Sequence, residues 1–65
     1  MKQALMKVLA SMKMEEENKV LIAITLKTDE QIYRFLKWLK KEVRENEVES
    51  RQDEITGQAV EIAKA

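Results

Sequence analysis

The side chains of this chain that could do chemistry are almost all Lys, Arg, Asp and Glu, because its 65 residues include no His and no Cys. Without His, no side chain titrates near neutrality at its unperturbed pKa. Without Cys there is no thiolate nucleophile and no disulfide. The usual nitrogen and sulfur ligands of zinc are missing with them. Carboxylate neighbours such as Asp53 and Glu54 occur, but 37% of the chain is charged, so such pairs follow from composition alone. The single glycine, Gly57, builds no glycine-rich phosphate loop. A chain of this length also has little room for a water-excluding pocket of about 300 Å3 or more. The expectation is a protein that is not an enzyme and carries no cofactor.

Two charged constellations remain. Arg34, Lys37, Lys41 and Arg44 project away from the apolar stripe of one helical segment, with Tyr33 and Trp38 at its borders. Cations beside aromatics can hold phosphates and stack bases. The plainer reading is a solvated outer face, since 12 basic and 12 acidic residues give zero net charge. A helix–turn–helix reading also meets an obstacle. The first turn of a recognition helix reads bases, and here that turn holds Asp29 and Glu30. Glu15, Glu16 and Glu17 form the second constellation. Three consecutive carboxylates on a helix diverge, so a solvated acidic turn is expected and not a cation site.

The elements that would carry these groups read as helices. Met1, Leu5, Val8, Leu9 and Met12 recur at helical spacing and predict a helix near 2–14. Met6 and Met14 fall off that stripe and are candidates for contact with a partner. Residues 15–18 are either a polar turn or the acidic start of the next helix. The run 20–26, Val-Leu-Ile-Ala-Ile-Thr-Leu, is ambiguous: it is apolar all round, and four of its seven residues are β-branched. No second strand is evident in the chain, so a strand here would pair across a dimer. A short helix near 18–27 is preferred.

Thr28-Asp-Glu-Gln31 is a capping-box pattern. It opens a helix near 29–46, with Ile32, Phe35, Leu36, Leu39 and Val43 on one face. Ser50-Arg-Gln-Asp53 is a poorer version of the same signal, ahead of a helix near 51–64. Gly57 weakens that last helix by about 1 kcal/mol relative to Ala. Its short stripe is Ile55, Ala59 and Ile62.

The fold class expected is all-α: one domain over 1–65, with three core helices and a weaker C-terminal helix. Residues 47–65 are set apart as semi-independent. The alternative is α/β, with residues 20–26 as a strand paired across a dimer. The expected core is Leu5, Val8, Leu9, Met12, Val20, Leu21, Ile24, Ile32, Phe35, Leu36, Leu39 and Val43.

Small cores gain from oligomerisation when disulfides and metals are absent. The function expected is therefore a non-catalytic protein–protein interaction or self-assembly module. Ile55, Ala59 and Ile62 are the expected contact to a second copy or another protein. The alternative is a small nucleic-acid-binding accessory protein using Arg34, Lys37, Lys41 and Arg44. MKQALMKVLA has no continuous apolar segment of signal-peptide type, and no run approaches the roughly 18 residues of a membrane span. A cytoplasmic protein with no membrane partner and no small-molecule substrate is expected.

Overall fold

The computed structural model describes all residues from Met1 to Ala65 and contains helices only. They are α1 (Lys2–Ser11), α2 (Glu16–Thr25), α3 (Asp29–Glu42) and α4 (Gln52–Lys64). Two single-turn 3-10 segments, Glu45–Glu47 and Glu49–Arg51, join α3 to α4. The helices pack as a ring in the order α1, α2, α4, α3, so the chain neighbours α2 and α3 stand diagonally across the core.

Local chemistry sets the boundaries. Helix α1 ends at Ser11, because Met12 takes an extended backbone. Side chains then alternate sides along the connector. Met12 and Met14 turn inward while Lys13 and Glu15 face solvent. Met14 is thus a core residue and not a partner contact. Glu15 stands at the N-cap position of α2 without a side-chain capping bond, and Glu16 and Glu17 occupy its first turn, where acidic charge suits the helix dipole. Residues 20–26 are helical through Thr25, which excludes the cross-dimer strand.

Helix α3 starts on a complete capping box. Thr28 Oγ1 accepts from the Gln31 N–H at 3.2 Å, and Gln31 Oε1 accepts from the Thr28 N–H at 3.2 Å. The helix ends at Glu42, short of the expected 46, where Val43 becomes extended.

The core is Leu5, Leu9, Met12, Met14, Ile22, Leu26, Ile32, Phe35, Leu39, Val43, Val48, Ile55, Ala59 and Ile62. Val8, Ala23, Leu36 and Trp38 pack half-buried around it, and Trp38 stacks on Phe35 with ring centroids 6.2 Å apart. Burying one such large apolar side chain is worth roughly 1.5–3 kcal/mol before entropy is counted.

Two expectations are corrected. On α2 the buried residue is Ile22, joined by the cap residue Leu26, whereas Val20, Leu21 and Ile24 lie outside. A helix apolar all round has no preferred side of its own, so its packing partners decide which side turns in. In α4, Ile55 and Ala59 are fully enclosed, and the helix packs on both α2 and α3. It is an integral wall of the core. The small side chain of Ala59 leaves room for close packing of the helices around it.

Candidate interaction surfaces

Four places on the molecule have the residues to make contacts. The first is the stripe Ile55, Ala59 and Ile62 expected to meet a partner. All three side chains are buried inside the chain itself, so the folded protein does not present them.

The second is the basic outer face of α3. Arg34 donates to Glu30 at 2.8 Å, an exposed i,i+4 pair one turn away. Lys37 Nζ stands 6.0 Å from the centre of the Tyr33 ring. Lys41 and Arg44 are exposed beyond it. Arg34, Lys37 and Lys41 thus share one side of α3, and Arg44 follows just past its end. Of the two aromatics, Tyr33 is exposed while Trp38 is stacked against the core. One ring is left for base stacking, and it already faces Lys37.

The third is a cleft of about 620 Å3 where the end of α1, the second half of α3 and the first 3-10 turn meet. Val8, Met12, Leu36, Leu39, Val43 and Val48 line it, with Lys13 and Lys40 among its polar residues. Four of those apolar residues belong to the buried core. Val8 and Leu36 are half-buried at its walls, so the cleft keeps an apolar lining of its own.

The fourth is the outer side of α2 with the adjoining edge of α1. At 100° per residue, Ile22 and Leu26 define the inner side. Val20 and Ile24 then fall opposite, with Leu21 next to them and Ala23 toward α1. Val20 is 51% exposed, Leu21 41% and Ile24 62%. Met6, 50% exposed, flanks them from α1, and a groove of about 360 Å3 runs between the two helices. Met6, Leu9, Ala10, Val20, Ala23 and Ile24 line it, with Glu16 and Lys19 as its polar residues. Lys2 holds the far end of the groove by donating to the carbonyls of Ala23 and Leu26 at the C-terminus of α2. Single exposed apolar residues are ordinary, whereas a contiguous cluster is a candidate contact surface.

Behind these surfaces, polar ties hold the frame. Gln52 Oε1 accepts from the Glu15 N–H and from Asn18 Nδ2, both at 2.9 Å, and so joins the N-termini of α2 and α4. Gln31 Nε2 donates to the Ala63 carbonyl at 3.4 Å and joins α3 to the end of α4. Arg51 grips both oxygens of Glu54, at 2.6 and 3.0 Å, and donates to the Glu42 carbonyl at 2.7 Å. The hydrogen bonds that Arg51 donates to Glu54, with help from Glu47, raise the Arg51 pKa above its ordinary value. The same bonds hold the Glu54 carboxyl below its own. Sequence reasoning missed this hub, although Glu47-Arg51-Glu54 carries the i,i+4 and i,i+3 spacing of helical ion pairs. Ser50 caps nothing. Its hydroxyl donates to the Glu47 carbonyl, and α4 begins after Arg51.

No group of three or more acidic side chains converges to hold a metal ion. No helix is long and apolar enough to cross a membrane. Set beside protein-family profiles, curated proteins and solved structures, the chain matches none of them.

Proposed function

We propose that this chain is a non-catalytic protein–protein interaction module that works through the outer side of α2 and the adjoining edge of α1. One observation carries the reading. Residues 20–26, the C-terminal half of α2 and its cap, are apolar on both sides, yet only Ile22 and Leu26 are enclosed by the fold, and Val20, Leu21 and Ile24 face water. A helix apolar all round belongs in an interior. The chain supplies one cover, and a partner supplies the other.

The chemistry on hand supports a contact role. The cleft at the end of α1 is floored by packed core, and the basic face of α3 spends Arg34 on Glu30. The contact surface is thus assigned to α2 and not to the enclosed stripe of α4.

Site-directed photo-cross-linking in cells tests this. A benzophenone side chain at position 24 should give a discrete protein adduct, and one at position 37 should not. Absence of any adduct from position 24 would overturn the reading.

A further inference from the structure

We propose that the partner of the α2 face is a second copy of this chain, seated across a two-fold axis with the two α2 helices antiparallel. This inference rests on the reading of that face as an interaction surface, and it commits to the occupant.

Charge is ordered along the face. Its N-terminal end carries the exposed carboxylates Glu16 and Glu17. The exposed Lys27 stands just past its C-terminal end, beyond the cap residue Leu26. Lys2 of α1 is held at that same end by the Ala23 and Leu26 carbonyls. The apolar pair Val20 and Ile24 lies between. The face is therefore acidic, apolar, then basic from end to end. Lys19 is an exception, lying about a third of a turn off the line of Val20 and Ile24 and facing the groove toward α1. At the other end Asp29 and Glu30 follow Lys27, paired with the Met1 ammonium at 3.4 Å and with Arg34 at 2.8 Å.

A two-fold interface brings residue i against residue j and j against i. Such a face must be complementary to its own reverse. This one is, in a single register. Val20 and Ile24 are centred on position 22 of the sequence, and so are Glu17 and Lys27. Placing Val20 of one copy against Ile24 of the other sets the acidic first turn of each α2, with Glu16 and Glu17, beside the other copy's C-terminal end, where Lys27 stands. The helix dipoles oppose in the same arrangement. A parallel pairing does the reverse, setting carboxylates against carboxylates and Lys27 against Lys27.

The contact spans one ten-residue helix with Met6 beside it. That is less than the roughly 800 Å2 per partner of a standard stable interface, so the pairing is weak and concentration-dependent.

The test measures the molar mass of the purified full chain by sedimentation equilibrium, from about 10 µM to about 1 mM, a range that brackets weak association. The variants are Lys27→Glu, the double Glu16→Lys/Glu17→Lys, and Ile24→Glu. All four positions are exposed, and circular dichroism confirms that each variant is folded. Wild type should move from 7.6 kDa toward twice that mass. Each charge variant alone should self-associate at least about tenfold more weakly, because like charges meet across the axis. Mixed in equal amounts, the two charge variants should restore the doubled mass, since every acidic end then meets a basic one.

Wild type that stays monomeric throughout would overturn the second copy as partner, while leaving the interaction reading to the cross-linking result. Association abolished by Ile24→Glu but indifferent to the charge variants would overturn the antiparallel register alone. Association indifferent to all three variants would overturn both this inference and the assignment of the face.

Discussion

Val20 and Ile22 stand two positions apart on the same short helix, and Ile22 is wholly buried while Val20 is 51% exposed. Both are apolar and β-branched, so hydrophobicity alone does not sort them. The ring of helices does, by giving α2 neighbours on one side only.

That asymmetry separates two substitutions. Ile22→Ala should cost about 2–5 kcal/mol, as large-to-small changes in packed cores do. Ile24→Glu, one turn from Val20 on the outer side, should change the stability of the monomer by no more than about 0.5 kcal/mol. Urea denaturation at low micromolar protein checks both. A large loss from Ile24→Glu at such dilution would mean that the residue serves the fold and not a partner.

Helix α4 should unfold with the rest. Its Ile55 is fully enclosed between elements that belong to different parts of the chain. Ile55→Ala should lower stability by about 2–5 kcal/mol, a large share of what a domain this small possesses. Hydrogen exchange should show protection falling in α2 and α3 as well as in α4. Loss confined to residues 52–64 would show that α4 is a separable unit.

Gly57 is exposed on α4, has no positive φ, and has nothing within 4 Å of where a Cβ would sit. Gly57→Ala should therefore stabilise the chain by about 0.5–1 kcal/mol through helix propensity and a less flexible unfolded state. In a chain of this size that raises Tm by roughly 4–8 °C per kcal/mol. Thermal denaturation followed by circular dichroism reads it, and an unchanged or lower Tm would contradict the packing described for this turn.

Glu54 links stability to pH. Its carboxyl is held below the ordinary value of 4.5, chiefly by the Arg51 hydrogen bond. A carboxyl with a lowered folded pKa stabilises the protein above its unfolded value. That contribution disappears as the pH falls through the folded value. Glu54→Gln should thus lower Tm at neutral pH, and the gap to wild type should narrow as the pH falls through and below the ordinary carboxylate range. A gap that stays constant over that range would show that Arg51 draws nothing from this carboxylate.

How far these features could be read from the amino acids differs by element. Helix α3 was plain, since its cap is written in Thr28 and Gln31 and its stripe in Ile32, Phe35 and Leu39. Helix α2 was readable as an apolar segment but not as an oriented one. Its inner side is chosen by α4, which lies far along the chain and packs against it. The stripe of α4 was visible, but its destination was not. Ile55, Ala59 and Ile62 serve an inner wall as well as they would serve a partner, and only the closed ring shows which. Met14 turns inward beside Met12 because the connector is extended, whereas helical spacing anticipates Met12 alone. The proposed contact surface is legible only once the fold shows which apolar residues it encloses.

The central claim, that the chain pairs through the outer side of α2, is tested most directly by two-dimensional amide NMR spectra across a dilution series. The account predicts concentration-dependent shifts confined to residues 16–27 and the neighbouring turn of α1 around Met6. Shifts centred instead on the outer face of α3, from Arg34 to Arg44, or no shifts at any concentration, would contradict it.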